Sequence, residues 1–324
     1  MKKIIINIIL ILLVLGLVEF LSYKTYQYRY KDLIEQQIKM HPDKKIAMKI
    51  WGIRYRKPIK FTYSGMVYSS KERQRVYNGN DKKGAILTIG CSYTEGSMLK
   101  NNETLAAHLN KITKRTVYNR GIGGSGPQLV YRQLIDKNFD NEVKNVEYII
   151  YTFIHSHIKR QFQDFLTYYL GDIDINYKIE NGNLVEKERP FWFLYSSFTT
   201  KIILEYIMER NFDKELDRNL PLFNKTIKES INQSKKLYKN PQFIFVEFPE
   251  ARICAEDYDG ISNELSEENI KKLKENNIKY FKASNLVGHN FCQKHYRLED
   301  NDHPSSKAWE ELVPLLVKEL DLDK

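Results

Sequence analysis

The sequence predicts an α/β protein: a parallel sheet covered on both faces in three α/β/α layers, with an N-terminal membrane helix before it and a cap inserted into it. Three observations carry this. From residue 84 onward, short apolar strand-like runs alternate with helical stretches, the signature of βαβ units. An almost unbroken apolar run occupies residues 4–21, interrupted only by Asn7, Gly16 and Glu19. Between residues 161 and 221 the alternation gives way to an aromatic-rich stretch with its own hairpin signal.

The apolar run follows Met1-Lys2-Lys3 and ends before Ser22-Tyr23-Lys24. A cleaved leader needs small residues at its cleavage site, and none follows. Residues 1–23 therefore read as an uncleaved signal anchor. Its length, about 18 residues, is at the short end of what spans a bilayer. Lys2 and Lys3 favour a cytoplasmic N-terminus and an extracytoplasmic body, although Lys24, Arg29 and Lys31 flank the other side.

Residues 24–83 form a basic stem. The formal net charge of the 324-residue chain is +10. Residues 21–80 hold fourteen Lys and Arg against four acids, so this stretch carries the whole excess. A basic stretch beside an apolar segment points to an anionic membrane surface. No nucleic-acid-binding motif accompanies the charge, so nucleic acid is set aside. The stem begins with a helical stretch, 28–39, continues with β-like pieces at 59–63 and 65–68, and ends in the turn Asn78-Gly79-Asn80-Asp81.

The regular pattern occupies residues 84–324. Strands are predicted at 85–90, 116–119, 148–154, 242–248 and 278–282. Helices are predicted at 104–114, 127–136, 222–237, 267–275 and 305–320. The insertion, 161–221, carries a hairpin over 172–187 with Asn181-Gly182 at its turn. It reads as a cap over one end of the sheet. Apolar residues make up 42% of the chain, enough for a sizeable core, and three cysteines (Cys91, Cys254, Cys292) are too few for a disulfide scaffold and leave the redox compartment open.

In open α/β sheets, ligands bind at the carboxyl ends of strands. The first regular strand ends in Gly90-Cys91-Ser92-Tyr93-Thr94-Glu95-Gly96. Glycines at 90 and 96 allow a sharp turn that exposes the Ser92 hydroxyl. A nucleophilic serine needs a base. Asp300-Asn301-Asp302-His303, just before the last helix, supplies one. A carboxylate three residues from His303 can accept its Nδ1–H, leaving Nε2 to take the serine proton. Asp300 is the candidate orienting acid, with Asp302 as the alternative.

The third block is Asn119-Arg120-Gly121-Ile122-Gly123-Gly124-Ser125-Gly126. A dinucleotide site would need an acid near the end of the following strand, and that strand has none. The nucleotide reading is rejected. The glycines instead let the loop approach closely, and Gly124 is placed to offer its backbone N–H to an oxyanion.

These three blocks, in this order at strand ends, resemble the SGNH (GDSL-like) hydrolases and their O-acetyltransferase relatives. The resemblance covers residues 84–160 and 222–320. It implies a flavodoxin-like sheet, with Ser92 as nucleophile, His303 as base, Asp300 as acid, and the N–H groups of Ser92 and Gly124 as oxyanion donors. Two departures stand out. Cys91 replaces the family's Asp before the serine. The family's third block ends in an Asn donor, whereas the matching strand here ends Phe153-Ile154-His155-Ser156-His157. His157, or alternatively His155, stands where that donor would be. Asn119, Arg120 and Arg160 are candidates for substrate binding. His155 and His157, with His289, Cys292 and His295, also invite a metal reading, but no fixed ligand set emerges and none is assigned.

The sequence thus predicts a single-pass membrane esterase or O-acyltransferase, acting outside the cytoplasm on O-acyl groups, acetyl first, of an envelope glycan or similar ester. It requires no cofactor, and its oligomeric state is left open. A catalytically degenerate binding or assembly protein of the same fold is the alternative, favoured by the absent Asn.

Overall fold

The computed structural model describes residues 2–29, 76–80, 82–97, 99–122, 125–136, 139–160, 177–186, 199, 203, 212–250, 254, 267–276, 278–298 and 303–322. The chain divides into two units. One comprises Met1–Lys60, Gln163–Asp174 and Glu188–Glu215; the other comprises Phe61–Phe162, Ile175–Lys187 and Leu216–Lys324.

In the first unit, helix α1 (Lys2–Arg29) covers the N-terminal apolar run. Nine of its large apolar side chains, from Leu10 to Leu21, are 42–64% exposed. They lie all round the helix rather than along one stripe. Glu19, the one acid of the run, accepts hydrogen bonds from the Thr199 backbone N–H (3.2 Å) and hydroxyl (2.9 Å). Among the described residues no helix is long and apolar enough to cross a membrane. The expectation of a spanning segment therefore finds no support in the structure. Beyond Arg29, the helix predicted over 28–39 and the β-like pieces predicted at 59–63 and 65–68 lie outside the described residues, as does most of the predicted cap.

The second unit holds a six-stranded sheet in the order β1-β3-β2-β4-β7-β8. Its strands are β1 (Val76–Tyr77), β2 (Ala85–Gly90), β3 (Val117–Gly121), β4 (Val146–Phe153), β7 (Gln242–Glu247) and β8 (Lys279–Lys282). The short β1 pairs antiparallel with β3 at one edge, and every other pairing is parallel. The five parallel strands thus run second, first, third, fourth, fifth. The direction of winding reverses at β2, which places a crevice at the carboxyl ends of β2 and β4.

Both faces of this sheet are covered, so β2 is buried at all six positions. One face packs α3 (Leu105–Thr113), the short α8 (Ala283–Val287) and α9 (Ser306–Leu320) over Ile86, Val117, Ile150 and Ile244. The other packs α4 (Pro127–Leu134), α6 (Phe212–Leu237) and α7 (Glu267–Glu275) over Leu87, Ile149, Tyr151 and Phe245. The hairpin β5 (Tyr177–Glu180) and β6 (Asn183–Glu186) turns at Asn181-Gly182. It docks on α4 through Tyr177 against Tyr131 and Glu186 against Arg132.

Most boundaries fall within two residues of the sequence reading, and two departures have a structural reason. Strand β3 runs two residues further, through Arg120 and Gly121, because it continues pairing with β2 as far as Gly90. Helix α6 begins ten residues before the predicted start and passes through Pro221. A helical proline forfeits one backbone bond, which the length of this amphipathic helix absorbs.

Trp309 is fully buried and packs 5.2 Å from the Phe248 ring. Trp309→Ala is expected to destabilise the protein by ~3–5 kcal/mol, read as a lower denaturant midpoint with the same slope.

Candidate active site

The site is built on the turn between β2 and the single-turn helix α2 (Ser92–Glu95). Gly90 has φ +147°, and a Cβ there would stand 2.3 Å from Thr94 Oγ1. Only glycine is at ease in that conformation. The Gly90 carbonyl accepts the Ser125 hydroxyl (2.7 Å) and the Ile122 backbone N–H (2.9 Å). Thr94 Oγ1 donates back to the Ile89 carbonyl (3.3 Å). Gly96, in the left-handed region, ends the turn with its N–H on the Ser92 carbonyl.

The glycine block after β3 packs directly on this turn. A Cβ on Gly121 would lie 2.2 Å from the Glu95 backbone nitrogen. Asn119 is fully buried; its Nδ2 donates to the Glu95 carbonyl (3.3 Å), and its Oδ1 accepts the Gly121 N–H (3.1 Å). Asn119, expected at the substrate, thus fastens the serine turn to β3. Ser125 and Thr94, which hold the same turn, were not singled out from the sequence. The serine after a glycine pair was the available signal.

His303 comes from the segment preceding α9, 211 residues from Ser92 along the chain. Its Nε2 lies 2.8 Å from Ser92 Oγ. Both residues are half-buried. The Tyr93 ring stands 5.4 Å from the His303 ring and meets Phe248 edge-on at 5.7 Å, so an aromatic wall backs the histidine. Asp300 and Asp302, the two candidate acids, and Gly124 lie outside the described residues.

Cys91, at the position before Ser92, is fully buried. Burial pushes its thiol up, against a smaller opposing pull from the Arg160 guanidinium beside it. Arg160 also donates from Nη1 to the Ser125 carbonyl (3.2 Å), so its head group lies beside the serine turn.

Two other expected residues lie elsewhere. Side chains alternate along a strand, so Arg120 points to the sheet face opposite Asn119. It is 4% exposed and pairs with Glu142 at 3.4 Å. That burial removes it from a substrate-binding role. His157 does not stand at the serine. It is fully buried on the same face as Arg120, stacked on Tyr151 and edge-on to Phe153. Burial holds the imidazole well below its usual pKa and the Tyr151 phenol well above its own. The Tyr151 hydroxyl and Nδ1 of a neutral His157 thus share a hydrogen bond (2.7 Å). His155 is buried just before the turn α5 (Ser156–Lys159). Cys292, a member of the set considered for metal, is bonded to Cys254 as a disulfide, with the Cα atoms 5.3 Å apart. His289 is taken by Glu311 at 2.9 Å. Among the described residues, no group of three or more His, Cys, Asp or Glu is placed to hold a metal ion.

The chain is similar in structure to several ester-cleaving proteins. These include a lipase from a goat rumen metagenome (11% identity, 73% of this chain and 97% of that one, TM-score 0.46). A member of the lipolytic protein G-D-S-L family from Veillonella parvula is similar at 11% identity, over 72% and 96%, with TM-score 0.43. An acetylxylan esterase from Geobacillus stearothermophilus is similar at 13% identity, over 75% and 95%, with TM-score 0.43. No protein-family model and no curated protein matches the chain.

Three outcomes are expected. Gly121→Ala, which has no space for its methyl group, should lower reactivity at Ser92 together with stability, read by serine-probe labelling and thermal unfolding. Native Cys91 should resist iodoacetamide at neutral pH and react on unfolding, read by mass spectrometry. His157, neutral in the fold, binds fewer protons there than in the unfolded chain. Stability should therefore fall as pH drops below ~6.5, by up to ~1.4 kcal/mol per unit. His157→Phe should flatten that dependence in pH-resolved denaturation.

Proposed function

We propose that this chain is a serine esterase that works through an acyl-enzyme. The observation that carries the reading is the 2.8 Å approach of His303 Nε2 to Ser92 Oγ at the carboxyl end of β2. Ser92 Oγ attacks the ester carbonyl while His303 Nε2 takes its proton. The tetrahedral oxyanion is held by the Ser92 backbone N–H, with the Gly124 N–H as second donor. Collapse expels the alkoxide, which receives the proton from His303, and leaves an acyl group on Ser92. A water then gives its proton to His303 and attacks the acyl carbon. The acid departs, and Ser92 regains its proton. Asp300, or alternatively Asp302, orients His303 through Nδ1. A sugar hydroxyl in place of that water makes the same site an O-acyltransferase. Arg160, whose head group lies beside the turn, is the assigned substrate-contacting cation.

The proposed setting is a membrane surface on the oxidising side, where an O-acetylated envelope glycan is the substrate. Three observations support it. Helix α1 exposes apolar side chains all round, a pattern found in helices buried in a core or in lipid. In the sequence, Lys2 and Lys3 precede its apolar run and Lys24 and Arg29 follow it, suiting anionic headgroups. The Cys254–Cys292 disulfide suits an oxidising compartment.

The test is fluorophosphonate labelling and p-nitrophenyl acetate turnover by the full chain. Ser92→Ala should abolish labelling and lower kcat on the order of 10³-fold or more, and His303→Ala should lower kcat similarly. A well-folded wild-type protein that neither labels nor turns over would overturn the reading in favour of a binding protein. Deleting residues 2–23 should move the protein from the membrane fraction to the supernatant on cell fractionation.

A further inference from the structure

His303 Nε2 lies 2.8 Å from Ser92 Oγ, and a site of this kind needs its side chains held to within about 0.5 Å of the productive geometry. Arg297 ties the segment that carries His303 to its surroundings. That residue is 5% exposed. Its Nε donates to the Phe291 carbonyl (3.1 Å) and its Nη2 to the Pro249 carbonyl (2.9 Å). Its guanidinium also lies 5.6 Å from the centre of the Phe248 ring, the ring that abuts Tyr93 behind His303. The fork thus joins the end of the β7 connection to the segment that leads to the histidine. The backbone of Arg297 continues the hold. It bridges to Pro304, while the Leu298 N–H donates to the His303 carbonyl and the Ser305 N–H donates to the Tyr296 carbonyl, each at 2.9 Å. The same two segments are joined covalently one residue past Phe291 and five past Pro249, by Cys292 and Cys254.

We propose that Arg297 is the positioning residue of His303: its guanidinium fixes the height and tilt of the histidine segment over Ser92, with the Cys254–Cys292 disulfide carrying part of the same constraint. The consequence for rate rests on the esterase reading given above. A planar guanidinium with two donors at a fixed angle suits two carbonyls on different segments, and a lysine ammonium does not reproduce that geometry. Misplacing a base by an ångström costs on the order of 10²-fold in rate.

The experiment compares full-length wild type, Arg297→Ala, Arg297→Lys and the double variant Cys254→Ser/Cys292→Ser. It measures kcat and KM for p-nitrophenyl acetate across pH, the thermal transition, and the NMR titration of the His303 ring, assigned with His303→Gln. Arg297→Ala should lower kcat at least tenfold with KM within about twofold, and shift both the acidic limb of the rate profile and the His303 titration. Added guanidinium ion should restore part of the rate to Arg297→Ala. The double cysteine variant should shift the same profile by less. Adding Arg297→Ala to it should give a non-additive loss, because both act on one pair of segments. If Arg297→Ala does not fold, Arg297→Lys carries the same readouts, with a loss of kcat and a shifted titration expected. A folded Arg297 variant with kcat within twofold of wild type and an unmoved titration would overturn the proposal. If wild type itself neither labels nor turns over, the esterase reading falls, and the His303 titration alone decides whether Arg297 positions the ring.

Discussion

The contact between Gly121 and the backbone of Glu95 is the constraint on which the site is built. Two chain segments meet there with no side chain between them, which lets β3 lie directly under the turn that carries Ser92. The Asn119 amide ties the same two segments, and Ser125 ties the next residues of that block to the Gly90 carbonyl. A turn with Gly90 at φ +147° would not persist by itself. It persists because the Gly90 and Glu95 carbonyls are bonded by the block after β3, while Thr94 and Gly96 close the turn on itself. The serine is thereby offered at a fixed height at the crevice where the winding of the sheet reverses.

The sheet also partitions its polar residues. Asn119 and Cys91 belong to the face that packs α3 and α9; Arg120, Tyr151 and His157 belong to the other. That second face buries titratable groups in aromatic surroundings, where desolvation keeps His157 neutral and Tyr151 protonated. A neutral imidazole bonded to a phenol is a packing element with a satisfied polar atom. The histidine that does face the serine comes instead from the far end of the chain, and its segment is held by Arg297 and the disulfide rather than by a strand or helix. The two ends of the dyad are thus secured by different means: backbone close-packing for Ser92, and a guanidinium fork with a covalent link for His303.

How much of this was legible in the sequence follows from the range of the interactions. Strands β2, β4, β7 and β8 and helices α3, α4, α7 and α9 are local in origin, set by apolar runs, periodicity and glycine or proline punctuation, and they lie where the sequence places them to within a few residues. The association of Ser92 with His303 was legible too, since strand ends in a parallel sheet gather at one edge. Register was not. A one-residue step along a strand moves a side chain to the opposite face, and that step separates Asn119 from Arg120; His157 reaches the aromatic core from the turn α5, past the end of β4. The predicted helix starts just after Pro221, yet α6 runs through that proline from Phe212.

By itself, then, the sequence determined the order of elements, the glycine-permitted turn at Ser92 and the presence of a histidine before the last helix. These depend on residue type and on neighbours a few positions away. Only the tertiary structure decided that Asn119 and Ser125 brace the turn, that Arg120 and His157 belong to the opposite face, that Cys254 pairs with Cys292, and that Arg297 grips the histidine segment. Each joins groups brought together by the packing of the sheet, and residue types alone do not specify which distant carbonyl, ring or thiol will stand within reach.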